Sequence, residues 1–227
     1  MIISLSGLIG SGKDSVADYL VKEYGFKRES FAGTLKDAVA AIFSWDREML
    51  EGKTAEARAE RELVDTWWAN RLGIPHLSPR WVLQYFGTDT CRKHFADDIW
   101  LASLENKLNK MKGQDIVISD SRFMNELEML AKVGGKTVRI KRGDDPTWWE
   151  TAQDAHFNHK AVETMDMLGI HRSEWDWAAY KFDVVLLNDG TMADLYAKAK
   201  GLVVLTDLEQ ASRASNEDQN SPVLSYN

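Results

Sequence analysis

The first fifteen residues constrain this chain more than any other stretch. Residues 1–5 form a short apolar run, and Gly7-Leu8-Ile9-Gly10-Ser11-Gly12-Lys13-Asp14-Ser15 follows it. Val16, Ala17, Tyr19 and Leu20 then recur at helical spacing. Strand, glycine-rich turn and helix in that order are the pattern of a phosphate-binding loop. Glycines let backbone N–H groups turn inward around an anion with no Cβ in the way. The helix that follows aims its positive end at the same oxygens. Lys13 adds a full charge at the β- and γ-phosphates, whereas a turn without a ligand would leave Lys13 unexplained. The position after the lysine, commonly Ser or Thr, is here Asp14, with Ser15 next. Asp14 either holds Mg²⁺ through water or serves as a favourable first-turn acid. Ser15 is expected to touch a phosphate.

Further along, 27–32 has the pattern of a short second strand, and Gly33 opens a helix through Leu35, Val39, Ile42 and Phe43. Residues 46–70 are charged and helix-prone. Ser78-Pro79 starts a helix through Trp81, Val82, Tyr85 and Phe86, with Ser78 as cap and Pro79 in the first turn. Gly87-Thr88-Asp89 is expected to break it, and another helix spans about 100–111. DIVIS at 115–119, 136–141 and FDVVLL at 182–187 are strands, and 143–181 looks irregular. A final helix begins near Thr191, and 208–227 has the composition of a disordered tail. Strands alternating with helices predict an α/β fold with a parallel central sheet between two helical layers. One domain, 1–207, is the simplest division.

Ligands of such sheets lie at the carboxyl ends of the strands, so the residues after each strand are the candidates. Asp120 follows the third strand, where a Mg²⁺-organising carboxylate is expected. Arg122 is placed to take a phosphate by a bidentate bond, and Glu126 either orients it or forms an ordinary surface ion pair. Lys36 lies at a helix N-terminus against the dipole preference, which points to an anion nearby. Arg80 and Gln84 share one helix face, close to Gly87 and Thr88, and suggest a substrate pocket. Arg142, or Arg172 within 143–181, is the candidate lid charge. Asn188-Asp189 either contacts the nucleoside base or simply forms a turn. His156, His159 and His171 match no zinc spacing.

The composition is that of an ordinary soluble globule, 44% hydrophobic and 28% charged. A net charge of −7 argues against a broad nucleic-acid-binding face. The single cysteine, Cys91, excludes a disulfide framework and is expected to be a small buried residue. No apolar run reaches the ~20 residues a membrane span needs, and no basic leader with a long apolar stretch opens the chain. A cytoplasmic setting is expected, and a homodimer is left open.

Five patches in order, SGLIGSGKDSVADYL at 6–20, FAGTLKDAV at 31–39, PRWVLQYFGTDTCR at 79–92, Trp100 with DSRFMNE at 120–126, and HRSEW at 171–175 with LLNDG at 186–190, carry a family likeness. Over about residues 1–201 the chain resembles the bacteriophage deoxynucleoside monophosphate kinases, in which Lys-Asp after the loop glycine is normal. The resemblance implies a three-layer P-loop kinase fold with a helical substrate-binding insertion at about 33–112 and a lid at about 143–181. It implies transfer of the γ-phosphate of ATP, with Mg²⁺, to a deoxynucleoside 5′-monophosphate (dNMP), for phage DNA synthesis. Gly10, Ser11, Gly12, Lys13, Asp14, Ser15 and Asn188 would serve ATP, with Asp14, Ser15 and Asp120 toward the metal. Lys36, Arg80, Gln84, Gly87, Thr88, Trp100 and Glu126 would serve the acceptor, and Lys13, Asp120 and Arg122 the chemistry. The competing expectations are a kinase of another small acceptor, as in dephospho-coenzyme A kinase, and a non-catalytic nucleotide-binding module.

Overall fold

The computed structural model of the chain describes residues 1–219, in two compact units. One contains residues 1–29 together with the chain from 113 onward; the other is residues 30–112.

The first unit is built on a parallel sheet of five strands, β1 (Ile2–Ser6), β2 (Lys27–Glu29), β3 (Ile116–Ile118), β4 (Lys136–Lys141) and β5 (Val184–Leu187). Their spatial order is β2-β3-β1-β4-β5. Strand side chains alternate between faces, and β1 shows the consequence. Ile3 and Leu5 are fully buried with Val16, Ala17 and Leu20 of α1 (Lys13–Tyr24) and with Leu195, Ala199 and Leu202 of α11 (Met192–Gln219). Ser4 and Ser6 point the other way, and both bond to Ser121. On that face lies α8 (Met124–Lys132), whose Leu127 joins Trp149, Met165, Trp175 and Trp177 in a second core.

Three expectations are corrected in this unit. Strand β2 is shorter than 27–32 because the chain leaves the sheet at Ser30. Residues 143–181 are not irregular: they hold α9 (Trp149–Asp154) and α10 (His159–Met167), anchored by buried tryptophans. No tail begins at 208, since α11 continues to Gln219. Leu202, Val203 and Thr206 are buried along it, and Glu209 pairs with Lys136 at 2.8 Å, which carries the helix past that point. Residues 220–227 of the expected tail lie outside the described residues.

The second unit is helical. Helices α2 (Gly33–Phe43), α3 (Arg47–Glu51), α4 (Ala55–Glu60), α5 (Thr66–Leu72), α6 (Pro79–Gln84) and α7 (Ile99–Lys110) surround Leu35, Val39, Leu50, Leu77, Val82 and Trp100. Polar caps start four of the six: Asp46, Thr54, Asp65 and Ser78 each accept a backbone N–H one turn ahead. Cys91 is half-buried at the margin of this core. Gly87-Thr88-Asp89 does not break the chain after α6. Residues Tyr85–Arg92 widen into a π-helix instead. A side chain at Gly87 would come within 2.7 Å of Leu35 Cδ2, so this glycine serves close packing rather than a turn.

Candidate active site

In the first unit the loop between β1 and α1 has the form its sequence predicts. Gly10 and Gly12 sit at φ +78° and +99°, the region where L side chains are strained. Ser11 N donates to Leu8 O at 3.1 Å and closes the turn. Ser11 Oγ is buried and has no partner, so one polar atom of the loop is left unsatisfied. Lys13 opens α1 with its side chain 13% exposed, and its nearest carboxylate oxygen, on Asp14, is 3.9 Å from Nζ, beyond hydrogen-bonding reach. Burial lowers the pKa of this ammonium; Asp14 opposes that, and the positive charge of Arg122 adds to it. Such a group gains most from an anion brought in from outside.

Asn188, after β5, donates its side-chain amide to Ser11 O at 2.8 Å, while its backbone N–H bonds Lys141 O. It therefore braces the loop. Asp14 is turned toward β2, where its carboxylate pairs with Arg28; Arg28 also bonds Asp18 at 2.7 Å and Ser119 at 2.6 Å. Nothing in the sequence singled out Arg28. Ser15 is half-buried on α1, and Asp120 follows β3 in the strand next to β1.

Arg122 Nη1 pairs with Glu174 at 2.7 Å, and Arg122 is among the charges that act on Lys13. Glu126 is not at the surface. It is buried, and one oxygen accepts the backbone N–H of both Arg122 and Phe123, capping α8. Arg172 is largely exposed and bonds Asp176 at 2.7 Å, and Asp176 in turn accepts Met124 N–H at 2.9 Å. Arg142 lies on a cavity of about 150 Å³ lined by Gly10, Ser11, Arg139, Asp144 and Asp145. Arg139 rests on Trp149, 4.0 Å from its ring centroid, and shares Asp145 with Lys141. The histidines are spent locally: His159 faces Glu163 at 3.3 Å, and His171 bonds Ser173. Among the described residues no three His, Cys, Asp or Glu side chains are grouped to hold a metal.

In the second unit the acceptor candidates are partly dispersed into the scaffold. Lys36 bonds Glu51 at 2.9 Å, so its ammonium already has one anionic partner within the protein. Trp100 is buried and donates Nε1–H to Gly87 O at 3.0 Å, which makes it a core residue that fixes the π-helical segment. Arg80, Gln84 and Thr88 are exposed, and Arg80 pairs with Glu62 at 3.2 Å.

Glu51 also bonds Arg47 at 2.7 Å. Burial alone would raise the Glu51 pKa, but the two cations overcome it and hold the carboxyl down from 4.5 to about 2. A carboxyl whose pKa is depressed by folding adds stability above its unfolded value and loses it as the pH falls through the folded value. Glu51→Gln is therefore expected to cost up to about 3 kcal/mol at pH 7. The gap between variant and wild type should close between pH 4.5 and about pH 2. Urea unfolding of both proteins at pH 7 and pH 3 checks this, and an unchanged gap would contradict it.

A family model described as deoxynucleotide monophosphate kinase matches residues 53–199. That match begins well after the phosphate loop, so loop and family are separate lines of argument. A protein of Acanthamoeba polyphaga mimivirus, provisionally named deoxynucleotide monophosphate kinase, is 28% identical over 213 residues, covering 87% of this chain and 93% of that protein. Among solved structures the chain is similar to a gluconokinase from Sinorhizobium meliloti (16% identity, TM-score 0.42, 93% of this chain and 96% of that one). It is also similar to a shikimate kinase from Aquifex aeolicus (13% identity, TM-score 0.42, 93% and 98%). Both similarities are too distant to bear on the reaction. No helix among the described residues is long and apolar enough to cross a membrane.

Proposed function

The chain belongs to the deoxynucleotide monophosphate kinase family, and on that premise we propose that it transfers the γ-phosphate of ATP to a deoxynucleoside 5′-monophosphate, giving the diphosphate. One observation carries the reading. Lys13 is mostly buried beside two positive-φ glycines and, among the described residues, has no carboxylate within hydrogen-bonding distance. Its charge is suited to the terminal phosphates of a nucleotide. The unsatisfied Ser11 Oγ and the inward-turned loop fit the same ligand.

The acceptor phosphate is already an anion at neutral pH, so no general base has to create the nucleophile. The work of the protein is to hold two anions in line and offset the charge between them. Lys13 binds the γ-phosphate, and the loop amides hold the phosphate chain. Arg122, kept in place by Glu174 and by the Glu126 cap, offsets charge at the transferred group. Mg²⁺ would supply further charge neutralisation at the phosphates, and Ser15 and Asp120 are the residues that would hold it. Asp14 fits that task less well, because Arg28 already engages its carboxylate. We read the product as feeding viral DNA synthesis in a host cytoplasm, a setting the mimivirus relative supports.

The test is a coupled ADP-release assay with ATP and each dNMP in turn. ADP formed only when a dNMP is present, with the matching diphosphate as product, is the expected result. Slow ATP hydrolysis indifferent to every dNMP would overturn the proposal in favour of a nucleotide-binding module.

A further inference from the structure

Arg28, on the edge strand β2, grips the first helix where the loop lysine enters it. Its Nη2 bonds the Asp14 carboxylate and also Ser119 Oγ, the latter at 2.6 Å, and its Nη1 bonds Asp18 at 2.7 Å. Asp14 and Asp18 are four residues apart and share one face of α1, so a single planar fork spans both. Ser119, buried just after β3, fixes that fork from the other side. Arg28 is 26% exposed, whereas Asp14 is 63% exposed. The two oxygens of Asp14 face different cations. Arg28 takes Oδ1, and Oδ2 stands 3.9 Å from Lys13 Nζ.

We propose that Arg28 is a positioning residue for nucleotide binding: by holding the Asp14 carboxylate toward β2 it keeps that carboxylate off Lys13, whose charge is left for the γ-phosphate of ATP. The argument is one of competition between anions. An acid in the first turn suits the helix dipole, but this one stands beside a lysine that has to receive a polyanion. A short, exposed side chain turns freely unless something holds it. An approach of about 1 Å would convert the 3.9 Å contact into a hydrogen-bonded ion pair. Burial already disfavours the lone charge of Lys13, so the lysine would gain from that pair, and ATP would have to break it. Arg28 offers Asp14 a nearer cation, itself anchored by Ser119 and Asp18. The sequence offered little sign of this, since Arg28 lies in a strand of three residues, 14 positions beyond Asp14.

The role given to Lys13 rests on the kinase reading above, so the test separates the two claims. It is a double-mutant cycle on the full-length chain: wild type, Arg28→Met, Asp14→Asn and the two together. Methionine keeps an unbranched apolar stem and removes the charge and the donors. Binding of β,γ-imido-ATP and of ADP is measured by calorimetry, and KM and kcat by ADP release with dGMP and dTMP. Arg28→Met is expected to raise the dissociation constant of β,γ-imido-ATP and the KM for ATP at least about tenfold. The dissociation constant of ADP, and kcat at saturating ATP, should change by about threefold or less. Adding Asp14→Asn should return β,γ-imido-ATP binding to within about twofold of Asp14→Asn alone, because the competing charge is then gone. Arg28→Lys should recover part of the loss. An Arg28 that merely ties α1 to the sheet would give a loss that Asp14→Asn does not repair. That result, or unchanged binding in Arg28→Met, would overturn the proposal. Should Arg28→Met fold poorly, the neutral Arg28→Gln carries the same cycle. Loss and repair of β,γ-imido-ATP binding without dNMP-dependent turnover in any of the proteins would overturn the kinase reading and leave the role of Arg28 standing. Normal dNMP-dependent turnover with no coupling in the cycle would do the reverse.

Discussion

Lys13→Ala is expected to lower kcat by about a thousandfold while leaving the protein folded. The magnitude is that of removing one preorganised charge from a developing transition state in a site of low polarity. The retained fold follows from the local chemistry. The ammonium is 13% exposed, burial disfavours its charge, and its contact with Asp14, at 3.9 Å, is too long to be a hydrogen bond. Its deletion therefore removes a cost as well as a packed alkyl chain. Thermal unfolding should give a midpoint within a few degrees of wild type, while the upward shift produced by ATP disappears. Turnover within tenfold of wild type would show that the γ-phosphate is held by another group.

Gly12→Ala is expected to damage the same loop by a different route. At φ +99° an alanine is strained, and its Cβ would lie 2.7 Å from Asn188 Nδ2 and 3.2 Å from Leu195 Cδ2. The amide of Asn188 would have to leave Ser11 O, and the Leu195 side chain would have to give by a few tenths of an ångström. Strain and overpacking together predict a stability loss of about 2–4 kcal/mol. A displacement of the loop on the order of 1 Å predicts a further loss of about a hundredfold in kcat/KM for ATP. Chemical denaturation and initial rates measure the two separately. A variant with normal stability and normal ATP kinetics would mean that the loop adapts freely.

These expectations rest on features of unequal visibility in the sequence. Strand, loop and first helix were legible because the signals are local: an apolar run, glycines at fixed spacing, and a helical stripe of Val16, Ala17 and Leu20. The parallel sheet followed from alternation of elements. What could not be read depended on partners distant in the chain. Lys36 looked like a cation in search of a phosphate until folding brought Glu51 within 2.9 Å. Gly87 looked like a helix breaker, yet its lack of a side chain serves contact with Leu35 and a π-helical path. Asn188 was placed correctly after its strand, but its partner, Ser11, lies 177 residues earlier. Glu126 was noticed for its spacing from Arg122, but its bonds to the backbone N–H groups of Arg122 and Phe123 could not be read from spacing.

The brace from Asn188 to Ser11 has an implication for how the enzyme comes into being on the ribosome. The segment bearing Lys13 is translated first, but β1 needs β3 and β4 on either side, and the loop needs an amide that emerges only after β5. Contacts so remote in the chain form late. A nascent polypeptide that stops before β5 would thus carry the entire glycine motif and still lack the amide that braces it, so that the loop is completed only once Asn188 has been made.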